Sequence, residues 1–214
     1  HAGQWLPALQ ELAEQRDWTI STFLIDRCSP TTQETLAFDT PAKSQGCKEY
    51  ASYVQKQTVS GNFDAVIVSQ RQSLEVEGKT WAQTEIAMEE ASRPILKAWE
   101  SAALPVLLIR DVPYPGAATT HVPNCVAANE SKPESCNGTP RSWFWMDPMA
   151  TAASDYGNVR VVDPEPWICP DGQCRAVIGG VITYFDTSHI TATYARSLAP
   201  LLGRAIDGGG LKGL

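Results

Sequence analysis

Asp186 and His189 stand three residues apart near the C-terminal end, inside the stretch from Thr183 to Tyr194. An apolar run, Val177 to Phe185, leads into them, and an apolar helical pattern, Ile190 to Ile206, follows. On a turn between a strand and a helix, an Asp three positions before a His supports both halves of a charge pair. The carboxylate fixes the imidazole tautomer and stabilises its protonated form, and the imidazole serves as general base for a hydroxyl nucleophile. Only 3 histidines occur in the chain, so few residues compete for the role. The plain alternative is a helix-capping Asp beside a surface His, with Thr187 or Ser188 equally able to cap. Ser69 and Ser73 follow an apolar run, and Ser188 adjoins His189. None has the Gly-x-Ser-x-Gly setting of a sharp strand-to-helix elbow, and Ser188 is expected to point away from the neighbouring ring.

The 6 cysteines fall into close pairs: Cys28 with Cys47, Cys125 with Cys136, and Cys169 with Cys174. Each pair brackets a loop rich in Pro, Gly or Ser. An even count in this arrangement suggests three local disulfides and an oxidising compartment, although 15 connectivities are formally open. Zinc is the rival reading. No Cys-x-x-Cys occurs and the histidines do not cluster at ligand spacing, so no metal is expected.

Positioning these groups requires a folded core, and 214 residues with 43% hydrophobic content suffice for one domain. The net charge of −7 argues against nucleic acid as a partner. No apolar run approaches the ~20 residues that cross a bilayer, and no signal peptide is visible. The chain opens without Met and directly in a helical pattern, which suggests a piece of a longer polypeptide.

Helical spacing covers Trp5 to Ala13, about Lys48 to Gln57, about Trp81 to Ala102 with a kink expected at Pro94, and about Asp147 to Asp155. Strands are expected at Trp18 to Ile25, Phe63 to Ser69, Pro105 to Arg110 and Val159 to Val162, the middle two as near-continuous apolar runs buried on both faces. A long loop is expected over roughly 113–142, and a turn at Gly179-Gly180. Buried strands alternating with helices indicate an α/β fold with a parallel sheet. Ligands in such sheets bind at the carboxyl ends of the strands, where Cys28 to Pro30, Ser69 to Ser73 and Asp111 to Pro115 lie.

Four segments together resemble an SGNH-type (GDSL-like) hydrolase domain, and more narrowly the extracytoplasmic domain fused behind the membrane part of family-3 acyltransferases. Asp186-Thr-Ser-His189-Ile-Thr resembles the family's final Asp-x-x-His block. Asp64 to Arg71 resembles its third block, where the fused subfamily often carries Arg in place of Asn. Arg27-Cys-Ser-Pro30 resembles its cysteine-bearing second block. His1 to Leu9 resembles the helix that follows the Gly-Asp-Ser nucleophile turn. The resemblance implies a three-layer α/β/α, flavodoxin-like fold over residues 1–207, with 208–214 as a loose tail.

The family's nucleophilic serine would immediately precede His1, and the first strand of the sheet would precede that. Neither is present, so the expectation is a chain cut at this point, inactive by itself, whose parent carries Gly-Asp-Ser directly upstream. A sheet truly lacking its central strand would leave backbone hydrogen bonds unmade.

The function the resemblance implies is acyl transfer through a serine ester, with His189 as base and Asp186 orienting it. Arg71 would stabilise an oxyanion or hold an anionic substrate group, where its plain alternative is a surface ion pair. Backbone N–H groups near Ser29 would add to the oxyanion hole. Trp5, Trp143, Trp145 and Trp167 read as core or loop anchors, of which one near the site could stack on a sugar. The resemblance also implies an N-terminal membrane acyltransferase domain in the same polypeptide, a cell-envelope glycan or glycolipid acceptor, an extracytoplasmic location and no cofactor. An esterase that removes acyl groups uses the same triad, and a non-catalytic binding module would keep the same fold.

Overall fold

The computed structural model describes residues 1–31, 36–37, 40–115, 121–141 and 147–208. In chain order the helices are α1 (Leu6–Arg16), α2 (Pro41–Thr58), α3 (Trp81–Ser101), α4 (Val122–Ala128), α5 (Pro148–Ala153), α6 (Glu165–Ile168), α7 (Ala192–Ser197) and α8 (Ala199–Gly208). The strands are β1 (Val66–Val68), β2 (Val106–Ile109), β3 (Tyr114–Pro115), β4 (Pro140–Arg141), β5 (Val159–Val162), β6 (Val177–Ile178) and β7 (Val181–Ile182). They divide between two compact units. One comprises the described residues of 1–20, 111–141 and 163–208; the other comprises those of 21–110 and 147–162.

The second unit holds the parallel sheet, in the order β1-β2-β5. Val66, Ile67 and Val68 lie opposite Val106, Leu107 and Leu108, and β2 pairs with β5 from Val106↔Val159 to Ile109↔Val162. This is the α/β architecture expected from alternating buried strands and helices. Side chains alternate across a strand, so Val106 and Leu108 share a face. That face packs against Ile95, Leu96 and Trp99 of α3 and Met149, Ala152 and Ala153 of α5. Leu107 and Ile109, on the opposite face, are equally buried. Helix α3 begins at a capping box: Thr80 Oγ1 accepts from Gln83 N–H while Gln83 Oε1 accepts from Thr80 N–H. The buried indole N–H of Trp99 donates to Thr58 Oγ1 at 2.9 Å, satisfying a polar atom in this core. Cys28 and Cys47 form a disulfide.

The stretch Trp18 to Ile25 forms no strand. An extended segment becomes a strand only when a neighbour completes its ladder, and no ladder includes it among the described residues. Ile20, Leu24 and Ile25 are exposed accordingly.

In the first unit, α1 packs against α7 and α8. A Cβ at Gly203 of α8 would meet Leu12 Cδ2 at 3.0 Å, so glycine is what lets these helices approach. Arg16 donates to both carboxylate oxygens of Asp207, at 2.9 and 3.0 Å. The region expected as one long loop contains β3, α4, a short 3-10 turn (Pro133–Cys136) and β4. The Cys125–Cys136 disulfide and the antiparallel β3–β4 pair organise it. The third disulfide, Cys169–Cys174, lies in the same unit. The apolar run from Val177 is not a single strand. It folds back at Gly179 and Gly180, with φ of 57° and 79°, so that β6 and β7 form a two-residue-turn hairpin outside the parallel sheet.

Candidate active site

The Asp186–His189 turn is held at its base by backbone hydrogen bonds. Phe185 N–H donates to His189 C=O at 2.7 Å, Thr191 N–H donates to Thr183 C=O at 2.9 Å, and Tyr184 bridges Ile190. Thr191 Oγ1 donates to Ile182 C=O and also accepts from Tyr194 N–H as the N-cap of α7. The cap is therefore Thr191, not Thr187, Ser188 or Asp186. The expected single helix from Ile190 divides at Leu198 into α7 and α8.

Freed from capping, Asp186 turns its carboxylate on its own turn. Oδ1 accepts from the main-chain N–H groups of Ser188 and His189, both at 2.7 Å, and Oδ2 lies 2.7 Å from His189 Nδ1. Partial burial pushes the Asp186 carboxyl up. The Ser188 N–H, the imidazole and the His189 N–H outweigh it and hold the carboxyl below its ordinary value. With Nδ1 engaged, the opposite ring nitrogen, Nε2, is the one available for proton transfer. The His189 side chain is 37% exposed. Ser188 does not point away from this ring: its Oγ is 3.4 Å from Nδ1. It approaches the nitrogen already bonded to Asp186, which is the wrong side of the ring for an activated nucleophile.

A second imidazole–carboxylate pair was not legible in the sequence. His1 Nδ1 lies 2.6 Å from Asp111 Oδ1, with side-chain exposures of only 4% and 1%. Asp111 also accepts from Tyr114 Oη at 2.7 Å and from Val112 N–H at 2.9 Å. The His1 and His189 rings stand 4.3 Å apart at 47°. Gln4 Oε1 accepts from Ile190 N–H at 3.0 Å, tying the N-terminal 3-10 turn (Ala2–Trp5) to the residue after His189. The available hint was an Asp immediately after the buried run that becomes β2, at a carboxyl strand end. Nothing in the spacing marked His1 as its partner, 110 positions away.

The remaining candidates are described within their own units. Ser29 is buried in the second unit, where its Oγ donates to Gln70 Oε1 at 2.7 Å and accepts weakly from Thr31 N–H. Arg71, half-buried in that unit, donates from Nε to Ser73 Oγ at 2.8 Å. Ser69 and Ser73 fall in that unit as well, whereas all three histidines fall in the other. Trp5 is buried and presents no face to a sugar, while Trp167 is half-buried and its carbonyl accepts from Tyr194 Oη. Trp143, Trp145 and the 209–214 tail lie outside the described residues. Among the described residues no cluster of three His, Cys, Asp or Glu could hold a metal ion, and no helix is long and apolar enough to cross a membrane.

No curated protein and no solved structure matches the chain. A family model does, that of the SGNH domain fused to AT3 domains, over residues 1–204. With its α/β fold and its Asp-x-x-His turn, the chain belongs to that SGNH family.

Proposed function

We propose that this chain is the extracytoplasmic O-acyltransferase domain of a longer membrane-tethered polypeptide, and that it passes an acyl group, acetyl in the simplest case, to a cell-envelope glycan or glycolipid. The Asp186–His189 couple carries the reading, because it is preorganised at one ring nitrogen for proton transfer at the other. The nucleophile in this proposal is a serine immediately ahead of His1. Its hydroxyl proton passes to His189 Nε2 as its oxygen attacks the acyl carbonyl, and the donor's leaving group departs with that proton. The acceptor hydroxyl then attacks the serine ester and gives its proton to His189, which passes it to the serine oxygen as the ester bond breaks. Arg71 and the backbone near Ser29 keep the oxyanion and substrate-binding roles that the family resemblance suggests. Disulfides at Cys28–Cys47, Cys125–Cys136 and Cys169–Cys174 fit an oxidising compartment. Domain limits of 1–207 and an N-terminal membrane acyltransferase partner belong to the same proposal.

Hydrolysis is the second reading, since a His189 ring 37% exposed is open to water. The polypeptide including the upstream segment, given an activated acetyl ester with and without a sugar acceptor, separates the two. Acceptor-dependent consumption with acylated sugar supports transfer; acetate release indifferent to acceptor supports an esterase. Any tripeptide other than Gly-Asp-Ser ahead of His1, or full activity after His189→Ala, ends the catalytic reading.

A further inference from the structure

Asp186 holds His189 from one side only, through the main-chain N–H and Nδ1. The ring is partly open to water, and Ser188 Oγ offers a competing partner at the same nitrogen. A base that must meet its proton within hydrogen-bond reach needs a second constraint. His1 stands where that constraint is required, its ring 4.3 Å from that of His189. It is itself immobilised: Asp111 holds its Nδ1, and Tyr114 and Val112 hold Asp111. A buried imidazole–carboxylate pair is a poor device for stability, because desolvating the carboxylate offsets most of the attraction, and an apolar pair would serve a core as well. Its value lies in setting position.

We propose that His1, locked by Asp111 and Tyr114, is a positioning residue that forms the wall against which the His189 imidazole is oriented. The inference rests on the acyl-transfer reading, in which His189 is the base. His1 touches no reacting atom in this account; it acts through His189.

The test is His1→Asn, whose side-chain amide can still donate to Asp111 but presents no ring. In the polypeptide that includes the upstream segment, kcat falls roughly 10- to 100-fold with KM unchanged, the size expected for a misplaced base. Thermal melting stays within a few degrees of the parent. In the 214-residue chain, the His189 ring-proton NMR resonances move in the variant while those of His121 do not. Wild-type kcat in His1→Asn, or His189 resonances left in place, overturns the proposal. His189→Ala in the same polypeptide keeps the two failures apart: if that variant stays active the acyl-transfer reading falls, and if it is dead while His1→Asn is fully active only the positioning role falls.

Discussion

Asp186 engages His189 twice, through Oδ1 to the main-chain N–H and through Oδ2 to Nδ1, each at 2.7 Å. Backbone and ring are thus set by one carboxylate, and the two tasks respond differently to substitution. In Asp186→Asn the amide oxygen can still accept the Ser188 and His189 N–H groups, so the turn survives. The amide nitrogen facing Nδ1 would force the wrong tautomer. In the polypeptide with its upstream serine, ester turnover should drop by about 10³- to 10⁴-fold, with circular dichroism unchanged. Turnover within a few fold of the parent would remove Asp186 from the mechanism.

The same carboxylate makes an acid-side prediction. Its folded pKa is depressed, so the unfolded chain binds the proton more readily. The stability it contributes is full above the ordinary Asp value of ~3.9 and is lost as pH falls through the lower, folded value. The stability gap between the parent chain and Asp186→Asn should close as pH falls below about pH 4. Urea melts at stepped pH check it; a gap that widens in acid would mean the assigned direction is wrong.

Leu108 sits at 2% exposure between α3, α5 and the neighbouring strands. Leu108→Ala removes buried carbons the helices cannot follow inward, and should cost about 2–5 kcal/mol. Equilibrium denaturation reads the loss directly, and a cost under about 1 kcal/mol would mean that this core repacks freely.

Gly203 lies where α8 meets α1, and a Cβ there would press on Leu12 and on the Arg16 guanidinium, at 3.0 and 3.2 Å. Gly203→Ala improves intrinsic helix propensity by ~1 kcal/mol, so on an isolated helix it would stabilise. In this chain the crowding should win and the melting temperature should fall. A rise would show that Leu12 moves aside without cost.

The Cys125–Cys136 disulfide closes a short span, 11 positions apart. Chain-entropy arguments give it roughly 3 kcal/mol. Replacing both cysteines with serine should lower stability by about that amount, and a reducing agent should have less left to remove from the variant than from the parent.

Much of this protein can be reasoned from residue pattern alone. The runs around Val66 and Val106 are too uniformly apolar for a half-wetted sheet, so a buried parallel sheet follows from composition. Asp186 and His189 are three positions apart, close enough that any tight turn brings them together. The paired spacing of the cysteines likewise limits each bridge to local closure. What the pattern could not decide is whatever depends on partners distant in the chain. Trp18 to Ile25 has strand-like residues but no ladder, since pairing is a property of neighbours rather than of propensity. The Gly179-Gly180 turn is legible, but not that the two strands it joins pair with each other outside the parallel sheet. Above all, His1 and Asp111 carry no local mark of each other across 110 positions. Only the tertiary fold brings them into contact and lays the His1 ring against His189, because burial and the closure of the chain, not spacing, select which polar groups must satisfy one another.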